Sequence, residues 1–213
     1  MSYTLKEIYF TLQGEGAHSG RAAVFARMTG CNLWSGREQD RSSAPCWFCD
    51  TDFVGTNGPG GGRFATGAEL AAVLRQCWDD DQAAPGGRPY VVFTGGEPML
   101  QLDKELIDAC HACNLEIGLE TNGTIPVPPG VDWICVSPKP NSQLVQTTGD
   151  ELKLVYPQEI EPDAVAHLEF THFFLQPRDG VGREEHTKAA INYCLTHPQW
   201  RLSLQTHKLL GIP

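Results

Sequence analysis

The chain contains no apolar run approaching the ~18 residues that would cross a membrane, and its start, MSYTLKEIYF, lacks the basic, apolar and small-residue order of a signal peptide. A cytoplasmic location without a membrane partner is expected. Positive charge is also scarce. Sixteen Lys and Arg face 26 Asp and Glu, for a net charge of −10, so the overall field does not favour nucleic acid phosphates as a partner. Internal repeats and low-complexity tracts are missing. The seven histidines form no HExxH pair, and His111 and His197, in or beside helical segments, read as solvated or packed. Gly60, Gly62 and Ala65 imitate a dinucleotide fingerprint but follow no strand.

What is present is cysteine, glycine and proline. Eight cysteines in 213 residues, without a secretory signal, read as metal ligands, catalytic groups or buried small side chains rather than a disulfide framework. With 41% apolar residues, 22 Gly and 15 Pro, the chain suits one loop-rich globular domain over residues 1–213.

Strands are expected at Tyr3–Leu12, Ala22–Met28, Tyr90–Thr94, Glu116–Glu120, Trp133–Ser137, Glu151–Tyr156, His172–Gln176 and Arg201–Leu204. Helices are expected from the Thr66 to Glu69 capping box to about Trp78, from Asp103 to about Cys113, and over Glu184–Thr196, with a short fourth at Pro162–Leu168. Gly55–Gly62, Ala83–Arg88 and the acidic Asp79–Asp81 run read as loops. Strands alternating with helices indicate an α/β fold with a mostly parallel sheet. A full eightfold barrel takes about 250 residues and eight helices, so an incomplete, TIM-like partial barrel with a reduced number of helices is expected, with its chemistry at the carboxyl ends of the strands.

The strand AAVFARM runs into Thr29-Gly30-Cys31, and fourteen residues later comes Cys46-Trp47-Phe48-Cys49-Asp50-Thr51. Three thiolates could hold three irons of a 4Fe-4S cluster and leave the fourth open to a small molecule. Alternatively, Cys46 and Cys49 could join Cys110 and Cys113 in a structural zinc site, although sixty residues intervene where about 15 to 20 are usual. The cysteines alone leave both readings open. Other polar turns follow predicted strands: Thr94-Gly95-Gly96-Glu97-Pro98, Glu120-Thr121-Asn122-Gly123, Ser137-Pro138-Lys139 and Gln176-Pro177-Arg178-Asp179. The Gly95-Gly96 pair would allow a ligand to approach the backbone, with Glu97 accepting from an ammonium group.

The cysteine triplet after one strand and the GGEP turn after another resemble the radical S-adenosylmethionine superfamily. Together with TLQGEG at Thr11–Gly16, Arg27, ETNG, SPK, QPRD and the closing Leu210-Gly211-Ile212-Pro213, they resemble more closely its queuosine-pathway branch, and the likeness spans essentially the whole chain. One departure is the spacing of the first two cysteines, since the superfamily normally places three residues where this chain has fourteen. The insertion, Asn32 to Pro45, is polar and turn-rich and would loop out at small entropic cost.

The resemblance implies a carbon–nitrogen lyase that converts 6-carboxy-5,6,7,8-tetrahydropterin to 7-carboxy-7-deazaguanine with loss of ammonia, through hydrogen abstraction by a 5'-deoxyadenosyl radical. It implies Cys31, Cys46 and Cys49 as ligands of a 4Fe-4S cluster within the loop 29–51, and Thr51 as a Mg2+ ligand. S-adenosylmethionine would be held by Phe48, Cys49, Asp50, Gly96, Glu97, Ser137, Pro138, Lys139, Gln176, Pro177, Arg178 and Asp179. The pterin would be held by Leu12, Gln13, Gly14, Arg27, Thr94 and the terminal carboxylate of Pro213, within a capping segment of about 200–213. A flavodoxin- or ferredoxin-like electron donor and a homodimer are implied as partners. The rival readings are an activase that places a radical on a partner protein, a zinc-binding module, and a thiol redox protein using Cys110 and Cys113, which lacks a thioredoxin-like setting.

Overall fold

The computed structural model describes residues 2–81 and 87–213; most of the loop expected at 83–88 lies outside them. The described residues form a nine-stranded sheet whose three antiparallel strands occupy one edge. There, β1 (Tyr3–Leu12) pairs with β2 (Ala22–Met28) on one side and with β3 (Gly62–Phe64) on the other. From β2 onward the order is parallel throughout, through β4 (Tyr90–Gly95), β5 (Glu116–Thr121), β6 (Trp133–Val136), β7 (Thr148–Tyr156), β8 (Glu169–Pro177) and β9 (Trp200–Leu202). The sheet stays open, as a barrel short of helices must.

Helix α1 (Gly67–Asp81) starts where expected, with Glu69 N donating to Thr66 Oγ1 at 3.1 Å and Ala65 N to Glu69 Oε2 at 2.7 Å. It runs past Trp78, so the Asp79–Asp81 run is helical rather than loop. The Arg75 guanidinium grips the Asp79 carboxylate at 2.8 Å and Gln76 bonds Asp80 at 2.6 Å, one turn apart in each case. Asp103 caps α2 (Lys104–Ala112) by accepting from Leu106 N at 3.0 Å, and α3 (Arg183–Thr196) lies against β8 and β9. The helix expected at Pro162–Leu168 is only a 3-10 turn at Pro162–Ala164, because β8 begins at Glu169 and leaves no room for a second turn.

Three further differences have local causes. Within the Gly-rich stretch, Gly62 to Phe64 pairs with Tyr3 to Leu5 as β3. Strands β7 and β8 begin three residues earlier than expected, because Thr148 pairs with Glu169 and Gly149 with Phe170. Last, a five-residue helix α4 (Thr206–Leu210) follows β9 and was not anticipated.

The crossovers from β5 to β6 and from β6 to β7 contain no helix. As a result the apolar residues fall into two large buried groups. One joins α1 and α2 to β1, β2, β4 and β5 around Leu70, Leu106 and Phe93; the other joins α3 to β7, β8 and β9 around Leu154, Leu175 and Trp200. The concave face of the sheet is filled from below by the loop between β1 and β2. Its residues reach β5 through Gln13 (to Glu120, 3.4 Å), the strand end at Ser203 through Gly16 N (2.9 Å), β7 through Ala17 N (to Glu151, 3.0 Å) and β4 through His18 (to Tyr90, 3.1 Å). Gly16 is required here, since at φ +64° a Cβ would lie 1.9 Å from Glu151 Oε1.

Candidate active site

The parallel strands all deliver their carboxyl ends to one rim, which surrounds a cavity of about 430 Å3. Cys31, Cys46, Phe48, Cys49, Asp50, Thr51, Thr94, Gly96, Ser137, Lys139, Gln176, Pro177, Arg178 and Asp179 line it, with Leu12, Gln13, Gly14, Arg27 and Pro213. Two of the expected residues, Glu97 and Pro138, are buried behind the wall.

Cys31 follows β2 directly, whereas Cys46 and Cys49 flank a tight turn closed by Cys49 N donating to Cys46 O at 2.9 Å. All three are free thiols. Burial raises Cys31, although Leu33 N donates to its sulfur at 3.4 Å. A hydrogen bond between the Cys46 and Cys49 side chains raises Cys46 and draws Cys49 down to about 6, helped by the Thr51 backbone N–H. Among the described residues no three His, Cys, Asp or Glu side chains converge on a single-ion site. A cubane needs no such convergence, because each ligand takes its own iron, and three unpaired thiols on one cavity wall fit that donor set. Cys110 is fully buried in the first apolar group on α2, apart from the group that holds Cys46, so the four-cysteine zinc arrangement does not form.

The insertion between Cys31 and Cys46 does not loop out. Trp34 folds back beneath the thiols, where it is buried against Cys46 and Phe53, and a 3-10 turn at Glu38–Ser43 carries Arg41 onto the Trp34 ring at 4.3 Å.

The Gly95-Gly96 pair lines the cavity and has a structural task as well. A Cβ on Gly96 would stand 2.0 Å from Gly30 O and 2.9 Å from Cys31 Cβ, and one on Gly95 2.1 Å from Met28 O. The two glycines let the β4 turn seat against the turn that carries Cys31, fixed by Glu97 N donating to Gly30 O at 2.8 Å. Glu97 itself is wholly buried. Its carboxylate accepts from Met99 N at 2.9 Å, Thr121 Oγ1 at 2.7 Å and Asn122 N at 2.8 Å, and burial raises its pKa despite these bonds. In this state it ties the β4 turn to the β5 turn and presents no oxygen to the cavity. Pro138 is likewise buried, leaving its neighbours exposed to the cavity; Lys139 Nζ donates to Ser137 O at 2.7 Å and to Ser137 Oγ at 2.6 Å, and burial lowers its pKa.

The opposite wall is acidic and basic by turns. Arg27 extends from β2 with Nε on Glu7 at 2.7 Å and Nη2 on Tyr9 OH at 2.9 Å, while Nη1 has no partner among the described residues. At the floor, buried Lys153 from β7 lies 2.7 Å from Glu15 Oε2 and 2.9 Å from Glu120 Oε2. Burial would raise Glu15, but Lys153 overrides it and holds the carboxyl at about 2. For Glu120 burial prevails, and its pKa is raised. Sequence reasoning missed this trio, as well as His207, Gln205 and Lys208. The signals for Glu15 and Glu120 lay within TLQGEG and ETNG, but Lys153 sits on a strand that gives no hint of an interior partner.

Residues 203–213 close the cavity from above. Thr206 N and Oγ1 both donate to Gly14 O at 2.9 Å, Thr11 Oγ1 donates to Pro213 O at 3.0 Å, and Lys208 Nζ bridges Asp50 (2.5 Å) and Asp179 (2.7 Å). His207 lies against Gly14 so closely that a Cβ there would stand 2.1 Å from Nδ1, and burial lowers the pKa of the imidazole.

No model of a known protein family matches the chain. It is nevertheless 61% identical over 214 residues to the 7-carboxy-7-deazaguanine synthase of Bordetella pertussis and 59% identical to that of Caulobacter vibrioides, with 100% of both chains covered in each case. A more distant one, from Bacteroides thetaiotaomicron, is 38% identical over 213 residues. Among solved structures it is similar to the crystal structure of QueE from Escherichia coli, with a TM-score of 0.67 and 26% identity over 96% of this chain and 94% of that one.

Proposed function

The chain belongs to the 7-carboxy-7-deazaguanine synthase family, and from that premise we propose that it is a radical S-adenosylmethionine lyase that contracts 6-carboxy-5,6,7,8-tetrahydropterin to 7-carboxy-7-deazaguanine with loss of ammonia. The observation that carries this reading is the meeting of Cys31, Cys46 and Cys49 on the wall of a cavity whose other wall holds Arg27 and the loop at Leu12 to Glu15.

Bound there, a 4Fe-4S cluster with S-adenosylmethionine would supply a 5'-deoxyadenosyl radical for hydrogen abstraction. The chain's own residues then position, charge-match and exclude water. Asp50, the Ser137 and Lys139 turn, and Gln176 to Asp179 form the half of the cavity that would hold S-adenosylmethionine, with Phe48 available to cover an aromatic face. Thr51 presents a hydroxyl to Mg2+, a hard cation that accepts oxygen ligands. Arg27 pairs with the substrate carboxylate through its open edge, and the cation meets the anion in a partly dry site where that pairing counts. Gln13, Thr94 and the main chain at Leu12, Gly14 and Pro213 read the ring edge. Glu120, whose pKa burial raises, accepts from Lys153 at the cavity floor and holds that lysine in place. Residues 203–213 exclude solvent once the cavity is filled.

The same reading includes one domain, cytoplasmic location, a flavodoxin- or ferredoxin-like reductant and a homodimer. No described helix is long and apolar enough to cross a membrane.

The deciding experiment is anaerobic turnover of reconstituted protein with S-adenosylmethionine, Mg2+, a strong reductant and the carboxytetrahydropterin, followed by mass spectrometry. Formation of 7-carboxy-7-deazaguanine with 5'-deoxyadenosine is expected. Release of 5'-deoxyadenosine alone would move the assignment to another substrate, and protein that takes up zinc without iron would overturn the radical reading.

A further inference from the structure

The insertion that separates the first cysteine from the other two contributes a side chain that hydrogen-bonds the main chain of the loop bearing those two. Arg41 Nη1 donates to Trp47 O at 3.0 Å and to Cys49 O at 2.8 Å. These are main-chain carbonyls inside and at the end of the turn that presents Cys46 and Cys49 to the cavity. The guanidinium is itself held on two further sides. Its plane covers the Trp34 ring at 4.3 Å, its Nε lies 2.8 Å from Glu38 Oε1, and Trp34 is locked by its indole N–H on Arg37 O at 3.2 Å and by an edge contact with Phe53 at 5.6 Å. Beneath them Trp34, Cys46 and Phe53 form a small apolar core of their own, with Cys31, Leu33, Ala44 and Cys49 packed at its margin.

Neither carbonyl is part of a strand or helix ladder, and among the described residues the only backbone–backbone bond within the turn is that from Cys49 N to Cys46 O. Arginine suits the task. Its planar fork can stack and donate at once, whereas a lysine would offer a point charge with no face.

We propose that Arg41 is a positioning residue for the second and third cluster cysteines: stacked on Trp34, it draws the Trp47 and Cys49 carbonyls outward and so fixes the two thiols toward the cavity before any metal arrives. The long insertion is thus the element that pre-forms the metal-binding turn, a role that a three-residue spacing would leave to the metal itself. The inference rests on the cluster reading above, but its first test does not.

In cluster-free protein, hydrogen exchange of the amides from Cys46 to Thr51 reports the order of the turn directly. Arg41→Gln is expected to speed it about tenfold, the loss expected when charge-assisted bonds to two carbonyls are removed from a locally opening segment, while exchange in β4 and β5 stays as in the wild type. Arg41→Lys should recover only part of the protection. In reconstituted protein, iron release to a ferrous chelator should quicken by a similar factor, at an unchanged melting temperature, and millimolar guanidinium added to Arg41→Ala should slow it again. Exchange and iron release within twofold of wild type in all three variants would overturn the proposal. If a variant melts globally, the Lys variant and the guanidinium rescue decide: no rescue and uniform loss of protection would also overturn it. Uptake of zinc instead of iron would sink the cluster reading and leave the exchange result standing.

Discussion

Lys153 Nζ lies 2.7 Å from Glu15 Oε2 at the floor of the cavity, joining a strand in the second half of the chain to a loop near its start. The lysine side chain is only 5% exposed and is shared with Glu120 at 2.9 Å. It is thus a cation taken out of water and balanced by two carboxylates. Removing one partner from such a group leaves an uncompensated charge, which is costly, whereas removing both together is tolerated much better. Lys153→Met should therefore lower stability by about 3 kcal/mol and abolish turnover. The Lys153→Met, Glu15→Gln double variant should regain part of the stability and none of the activity. Denaturant melts beside single-turnover assays read both.

Acid should reveal the same pair. Glu15 is held at about 2, below its ordinary value of 4.5, so the folded state favours its ionised form. The stability this contributes is present above pH 4.5 and is lost as pH falls through 4.5 toward 2. Glu15→Gln should be less stable than wild type at neutral pH and should show a shallower fall over that window. Converging stability curves at the acid end are the expected signature; parallel curves would refute the assignment.

Gly96→Ala places a methyl group 2.0 Å from Gly30 O, where the obstacle is backbone and cannot swing aside. We expect a loss of about 1 to 3 kcal/mol. A larger deficit is expected in iron bound per chain, because the displaced turn is the one seated on Cys31. Gly62→Ala, where a Cβ would meet only the Phe64 ring at 3.9 Å, serves as the control.

Lys208 spans Asp50 and Asp179, all three being partly exposed. Breaking this bridge with Lys208→Met should loosen residues 203–213 over the cavity. KM for both small molecules should rise several-fold while kcat changes by less than about twofold, and the wild-type enzyme should drift the same way as salt screens the bridge. Lys208→Arg should restore most of the difference.

Much of the architecture was legible because it rests on local signals. Strand β2 runs over the expected Ala22–Met28, and Asp103 caps α2 as its position before an apolar run implied. Signals failed where distant partners decide the outcome. Asp79–Asp81 looked unhelical beside an unfavourable dipole, yet Arg75 and Gln76 hold the first two in the helix. The first residues of β7 and β8 are paired by one another and not by their own propensities. Helix α4 is too short to show a period, and its start is anchored by Gly14, some 190 positions away. At the site, the motifs located the rim of the cavity but misjudged two of its parts. Glu97 is spent on tying turns together, and the insertion, expected to loop out, builds a core of its own. The charged floor stayed hidden because Glu15, Glu120 and Lys153 are brought together only where the β1–β2 loop packs against β5 and β7.

The two helix-free crossovers have a mechanical consequence. They leave the apolar interior in two bodies, one around α1 and α2 and the other around α3, joined by the pairing of β5 with β6 and by a floor of salt bridges. The cavity lies across that seam, with Cys31 and Gly96 on one bank and Lys139 and Gln176 on the other. A molecule that fills it acts as mortar. Beyond the ordinary gain of any ligand that binds only the folded state, it should make the two bodies melt as one, so that calorimetry of the loaded protein shows a single sharper transition where the empty chain shows a broader one.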